Sequence, residues 1–442
     1  MTDIRKAVSL VIVQGKDIFT IIRHNHLRAF PGYTAFPGGK VDAEDQAETL
    51  DQTLLNTLYR EAKEELGIDV IELQKSGQIE AIDKIAIATS PNYNPRRYEA
   101  HFYRIILKKK IDFILDSNEA KLGQWLDAGS LLREYNFGKR LLIYPIRKVI
   151  EELSNNTKFS QVIDFDLREV GKIPFIEPLR GVIQYMPLSN TLPPASRTNA
   201  FIIGGQEKIL IDPSPKNVDE YRSLLEELKK FQLKGLMLSH HHKDHHEMAP
   251  EIAEYFNLPI YLSPDCHKRC LQKYGQDYFQ KSQIEYLKEG DVVTSWLGED
   301  VGVIEIPGHD EGQLGLIPES KKWCFVGDLF QGIGTVVVGG EEGDMQKYMH
   351  SLEKVISLGP HCVIPSHGIA LGGTYILEKT LEHRKYRENQ IKDLMNQGKS
   401  VDDMLGIIYF DLSRKLLPYA RENILKHIEK IENEASAPKT ES

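Results

Sequence analysis

The sequence predicts a multidomain chain of α/β and α+β class, on three observations. The chain has 442 residues, more than a single hydrophobic core usually serves. Its first third reads strand, glycine turn, helix, strand. Its middle third alternates strands with helices, and the loops after the strands carry histidine, the pattern of layered α/β domains.

Composition narrows the class. Hydrophobic residues make up 41% and charged residues 27%, the usage of globular proteins in water. No apolar run approaches the roughly 20 residues that span a bilayer, so no membrane partner is expected. The first residues show no signal-peptide cleavage pattern. Four cysteines in this length make no disulfide framework. The expected location is therefore the cytoplasm. A net charge of −9 argues against broad, non-specific attraction to nucleic acid, though not against a local basic groove.

The elements follow in order. Residues 7–14 and 17–23 read as strands joined at Gly15 and Lys16. A glycine turn covers 36–43. Leu50, Leu54, Leu58 and Ala62 then recur every four residues up to Gly67, a helix with its C-cap. Strands at 80–89 and 98–107 and a helix over 139–153 complete a domain at 1–155. The proline-rich stretch that includes Pro174 and Pro178 places a linker at 156–178. A second domain, 179–375, has strands at 199–203, 207–212, 235–239, 259–262, 301–306, 323–327 and 361–365. Its helices fall at 217–230, 246–256 and 345–358, with another from 375 onward. Helical spacing at Ile391 and Leu394, at Met404, Ile408, Leu412 and Leu416, and at Ile424 and Ile428 gives a small helical subdomain at 376–435. Residues 436–442 read as a disordered tail.

Chemistry concentrates in the middle. Of 15 histidines, five lie between residues 240 and 246. Solvated loops have no reason to cluster imidazoles, whereas metal binding does. His240, His242, Asp244 and His245 share one loop after an apolar strand. Zinc takes about four ligands, so others must come from elsewhere in the chain. His309, Asp328 and His367 each follow an apolar strand with glycine nearby. His241 and His246 are expected as loop surface or supporting residues, and Cys266 and Cys270 as structural thiols.

These blocks, together with Asp212 at the end of a strand, resemble the metallo-β-lactamase superfamily. The resemblance implies an αββα sandwich with two Zn²⁺ ions. His240, His242 and His309 would hold the first ion, and Asp244, His245 and His367 the second. Asp328 would bridge them, and Asp212 would support the loop from behind. Paired metals lower the pKa of a shared water and polarise the scissile group, with Asp244 orienting the resulting hydroxide. The short span from Asp328 to His367 leaves no room for the large inserted domain of the nucleic-acid-processing branch. That span and the segment HRKYRENQI look like the beta-lactamase-like protein 2 group. This group has single-strand endoribonucleases as members and a winged-helix-like C-terminal subdomain.

A second constellation lies near the N-terminus. Glu61, Glu64 and Glu65 share one helix face, beside Arg60 and downstream of Gly38 and Gly39. Clustered carboxylates suit Mg²⁺ or Mn²⁺ with phosphate oxygens completing the shell; an ordinary solvated acidic face is the alternative. The glycines with the octet Arg60–Gly67 resemble the Nudix box, implying an α/β/α sandwich. There the three glutamates bind metal and catalyse, Arg60 orients them, and Gly38 and Gly39 shape the substrate loop. The stretch between Glu44 and Arg60 is longer than usual, as in coenzyme A diphosphatases. Arg23 and Arg28 resemble that group's substrate-binding motif, although His24 stands where serine is usual.

The expectation is a bifunctional metal-dependent hydrolase acting on a small nucleotide or coenzyme A-like molecule. One site would cleave a pyrophosphate, and a dinuclear zinc site would hydrolyse an ester-like bond. Two alternatives stay open: a zinc-dependent endoribonuclease acting on single-stranded RNA, and a zinc hydrolase governed by a non-catalytic Nudix sensor. The sequence gives neither oligomeric state nor true substrate.

Overall fold

The computed structural model describes residues 4–92, 94, 96–166 and 173–436. It separates into two compact units, residues 1–180 and 181–442.

The first unit is built on a seven-stranded mixed sheet. At its centre Ile4–Gln14 runs parallel to Arg97–Leu107, with Ile4 opposite Arg97 and Val13 opposite Ile106. Flanking strands Asp17–Arg23 and Ile79–Thr89 run antiparallel to Ile4–Gln14 and Arg97–Leu107 respectively. The apolar residues of the central strands are buried with Leu54, Leu58, Ala62 and Leu66 of helix Leu50–Leu66. Thr49 caps this helix by accepting Gln52 N–H, and Gly67, at φ 66°, ends it. The four-residue spacing thus put one helix face on the sheet and left the next face for the carboxylates.

Several boundaries differ from the sequence reading. The helix expected over 139–153 starts at Tyr144, with Pro145 in its first turn, where a missing N–H costs nothing. Within the stretch read as linker, Ile163–Asp166 is a strand paired in parallel with Ile79–Thr89, which extends the first sheet past residue 155. Residues 167–172 of that stretch, and 437–442 of the expected tail, lie outside the described residues.

The second unit has two sheets. One runs Ile284–Tyr286, Ile260–Leu262, Leu233–Met237, Lys208–Ile211, Ala200–Gly204, Val182–Tyr185. The other runs Val292–Trp296, Glu299–Glu305, Leu314–Pro318, Cys324–Gly327, Cys362–Pro365, Leu371–Gly372. They meet face to face, as Phe201 on one and Phe325 on the other show with ring centroids 5.4 Å apart. The helix expected over 246–256 is broken: Lys243–His246 forms one turn, Met248 takes a left-handed φ of 61°, and Ala249–Phe256 follows. Three helices, Tyr375–Asn396, Val401–Ile408 and Leu417–Ser436, close the unit. They belong to the same compact unit as the two sheets: Leu377 and Leu381 share a buried cluster with Met345, Tyr348 and Val363.

Candidate metal centre and carboxylate site

The strand Leu233–Met237 ends in the loop that carries His240, His242, Asp244 and His245. Strands Glu299–Glu305, Cys324–Gly327 and Cys362–Pro365 of the other sheet lead to His309, Asp328 and His367. All seven residues converge. His242 Nδ1 lies 3.0 Å from both His240 Nε2 and His309 Nε2. Asp328 Oδ2 lies 3.7 Å from His245 Nε2, 3.8 Å from His309 Nε2 and 3.5 Å from His367 Nε2. Asp244 Oδ2 is 3.5 Å from His367 Nε2 and 3.8 Å from His245 Nε2.

Geometry selects a cation. His240, His242 and His309 form one set of donors close enough to share an ion; Asp244, His245 and His367 form another, and Asp328 joins His240 and His245 in a third. His245 Nε2, His367 Nε2 and Asp328 Oδ1 are buried without a hydrogen-bond partner. Three orphaned buried polar atoms at one spot would be costly in a metal-free fold. Imidazole nitrogen with carboxylate oxygen is a donor set for divalent first-row ions, so the residues fit a dinuclear centre.

Electrostatics divide the cluster: burial works against the charged form of the imidazoles, but Asp328 outweighs it at His245 and His367 and holds those two above their ordinary pKa. Burial, reinforced by neighbouring His245, His242 and His309, holds His240 well below its ordinary pKa. Burial and His242 bring His309 down to about 4. These imidazoles are neutral near pH 7, the form that ligates. Burial pushes the Asp328 carboxyl up, but His367 and His245 outweigh it and hold the group well below its usual range.

Asp212 sits behind the loop. Fully buried, it accepts Ser239 N–H at 2.7 Å and Ser239 O–H at 2.6 Å, and its Oδ2 lies 3.0 Å from His245 Nδ1. His241 and His246 are buried too, rather than loop surface. His241 Nδ1 pairs with the buried Asp310, and His246 lies between the His241 carbonyl and Tyr278. Cys266 and Cys270 are buried free thiols.

In the first unit, the helix Leu50–Leu66 presents Glu61, Glu64 and Glu65. Arg60 Nη1 donates to Glu61 at 2.9 Å and to Glu64 at 2.8 Å. Its Nε and Nη2 fork onto Asp45 at 2.9 and 2.8 Å. Glu65 accepts the Gly38 N–H at 2.9 Å. A Cβ on Gly39 would lie 2.2 Å from Glu61 Oε1, and one on Gly38 2.2 Å from the Val8 carbonyl. Gly39 therefore lets the loop close onto the Glu61 carboxylate, and Gly38 lets it close onto the Val8 backbone. Burial raises the Glu65 pKa to about 7 and also raises that of Glu61. Glu64 is exposed. Arg23 donates to the Ala29 carbonyl and lies 3.8 Å from Glu119, while Arg28 is exposed.

Comparison with known proteins resolves the two units separately. The model of the NUDIX domain matches residues 3–143, and that of the metallo-beta-lactamase superfamily matches residues 193–367. The chain joins a NUDIX domain to a metallo-β-lactamase domain. Among relatives, the Beta-lactamase-like protein 2 homolog of Drosophila melanogaster is 26% identical over 255 residues, covering 54% of this chain and 82% of its own. The Atrochrysone carboxyl ACP thioesterase of Aspergillus fumigatus is 24% identical over 268 residues, covering 58% and 80%. The crystal structure of a Beta-lactamase domain protein from Burkholderia ambifaria covers 60% of this chain and 90% of its own, at TM-score 0.51 and 16% identity, a likeness of fold. Both domains are of hydrolase families, and the protein is an enzyme with candidate sites for divalent metal. Among the described residues no helix is long and apolar enough to cross a membrane.

Three residues beside these sites went unread in the sequence. Asp45 anchors Arg60 in the NUDIX domain; the Asp42-x-x-Asp45 spacing, a capping box in which Asp42 N–H donates to Asp45, was the available signal. In the metallo-β-lactamase domain, Asp310 follows the ligand-position His309, and Glu342 reaches His242 from a loop with no sequence signature.

Proposed function

We propose that the chain is a bifunctional hydrolase, with a dinuclear zinc centre cleaving an ester-like bond in one unit and a Mg²⁺- or Mn²⁺-dependent pyrophosphohydrolase in the other. The observation that carries the first half is the convergence of seven donor side chains whose buried atoms His245 Nε2, His367 Nε2 and Asp328 Oδ1 lack a partner. His240, His242 and His309 would hold one ion, and Asp244, His245 and His367 the other, with Asp328 between. Two such ions would supply Lewis acidity and an acidified water. The protein's own part is to exclude bulk water by burying the imidazoles, and to orient the attacking water with the Asp244 carboxylate at the edge of the cluster.

Thioesters are the favoured ester class. A thioesterase is among the relatives that span most of their own length, and the net charge of −9 disfavours a polyanion as the default substrate. In the NUDIX domain, Glu61 and Glu65 would hold the metal beside the Gly38–Gly39 loop. Exposed Glu64 would activate water against a nucleoside-diphosphate-linked substrate of coenzyme A type, with Arg23 and Arg28 binding it.

The test is an assay of the full chain with acyl-coenzyme A and other thioesters, coenzyme A, dinucleotides and single-stranded RNA, beside Glu64→Gln and Asp244→Asn. Selective loss of pyrophosphate cleavage in Glu64→Gln and of thioester cleavage in Asp244→Asn supports the reading. RNA cleavage lost only in Asp244→Asn, with no pyrophosphatase in any form, replaces it with a ribonuclease bearing a binding domain.

A further inference from the structure

Two imidazoles of the His240–His242–His309 cluster find their outer partners on one short segment. His309 Nδ1–H donates to the Val337 carbonyl at 2.8 Å. His242 Nε2 lies 3.4 Å from Glu342 Oε1. An imidazole binds an ion only through a nitrogen that carries no proton, and the acceptor on its other nitrogen decides which one that is. Val337 and Glu342 thereby leave His309 Nε2 and His242 Nδ1 as the free lone pairs, and those two atoms are the ones that meet at 3.0 Å.

The segment 331–343 is neither helix nor strand, so no ladder of backbone bonds holds it. The C-terminal helices do. Arg384, buried on helix Tyr375–Asn396, donates Nη2–H to the Val336 carbonyl at 2.7 Å and Nη1–H to Asn423 Oδ1 at 3.2 Å. Asn423, on helix Leu417–Ser436, accepts Val338 N–H at 3.1 Å. Val337 is thus pinned on both sides, with its carbonyl turned to His309. The Val336 and Val338 side chains are buried with Leu377 and Leu381. Arg384 also lies over the Tyr348 ring at 5.2 Å, and the Tyr348 backbone packs so closely on Gly308 that a Cβ there would sit 2.1 Å from its nitrogen.

We infer that the C-terminal helices are a working part of the metal centre: Arg384 and Asn423 are positioning residues that hold segment 336–342 so that Val337 and Glu342 set the tautomers of His309 and His242. This rests on the reading of the histidine cluster as a metal site. It assigns the C-terminal subdomain a role at the centre whatever the substrate.

The experiment is Zn²⁺ titration of the metal-free full chain against a chromophoric chelator, for wild type, Arg384→Met, Glu342→Ala and Glu342→Gln. Long-range ¹H–¹⁵N spectra of the histidines report the tautomers. In Arg384→Met and Glu342→Ala one binding step weakens by about 10- to 100-fold while the other keeps its affinity. The Nδ1–H signature of His309 is lost in Arg384→Met. Glu342→Gln, whose amide oxygen still accepts, binds as wild type. Glu342→Ala, on a partly exposed side chain, carries the test if Arg384→Met fails to fold. Wild-type affinity for both ions in Arg384→Met and Glu342→Ala overturns the inference while leaving the metal site standing. A wild-type chain that takes up no ion at these histidines overturns the metal reading itself.

Discussion

Asp212 Oδ2 lies 3.0 Å from His245 Nδ1 and also accepts the Ser239 hydroxyl at 2.6 Å, both partners being buried. Its Oδ1 takes the Ser239 N–H, so one carboxylate fixes the root of the loop and the ring of a candidate ligand. Asp212→Ala strands at least two buried donors, each worth about 1–3 kcal/mol. A melting temperature lowered by several degrees, with zinc affinity down about 10- to 100-fold, is the expected result by calorimetry and chelator competition. Asp212 also sits at φ 48°, which asparagine tolerates. Asp212→Asn should therefore fold better than Asp212→Ala while still binding the second ion poorly.

Glu65 gives the NUDIX domain a pH signature. Burial lifts its pKa from 4.5 to about 7 in the folded protein. Between these values the native state holds a proton that the unfolded chain has released. Stability of the metal-free protein is thus highest below about pH 4.5 for this group, and it falls as pH rises through 7. The loss amounts to about 3 kcal/mol. Unfolding of the metal-free chain in urea at pH 5 and pH 8, compared with Glu65→Gln, measures it: the variant should lose this part of the slope. A divalent ion, which favours the ionised carboxylate, should restore stability above pH 7.

Gly38 and Gly39 should fail in different ways. A methyl on Gly38 would meet the backbone of Val8, and Gly38 holds φ 135°, so neither neighbour nor backbone can yield. Gly38→Ala should destabilise the first unit by about 1–3 kcal/mol or more. The three atoms nearest a methyl on Gly39 all belong to the Glu61 carboxylate, the far end of a side chain that can shift. Gly39→Ala should keep most of its stability while weakening the proposed metal-dependent pyrophosphate cleavage, readable as a raised Mg²⁺ requirement.

Arg60 tests geometry against charge. Lysine would keep the charge near Asp45, Glu61 and Glu64 but lose the two-pronged contact to buried Asp45. Arg60→Lys is expected to cost about 1–3 kcal/mol in denaturant unfolding and to lower kcat of the proposed pyrophosphate cleavage. Stability and kcat both unchanged would mean that charge alone suffices.

The elements that positioned the sites were legible because each had a strong local signal. Leu54, Leu58 and Ala62 announced a helix face, and helix Met345–Leu358 falls on the residues expected. The donor loops could be read because histidine rarely clusters and because each block followed an apolar run. What escaped were contacts with no local pattern. Strand Ile163–Asp166 is short and sits in polar sequence, and only its partner Ile79–Thr89 makes it a strand. Glu342 and Val337 belong to a segment without periodicity, and Arg384 reads in sequence as one more charge on a polar helix. Its burial depends on partners distant in the chain on either side, Val336 and Tyr348 before it and Asn423 after it.

The donors to the candidate zinc centre come from two sheets: His240, His242, Asp244 and His245 follow a strand of one, and His309, Asp328 and His367 follow strands of the other. Neither sheet can assemble the site alone, and the nearest donors across the divide are separated by a long stretch of chain. Contacts of that kind must first meet the entropy of closing the intervening loop. An ion bound there would act as a rivet between the two halves of the sandwich, and its full set of donors would be in place only once both halves had closed. Metal uptake would then certify a finished fold, and withdrawing the ion would loosen the seam along which the halves meet.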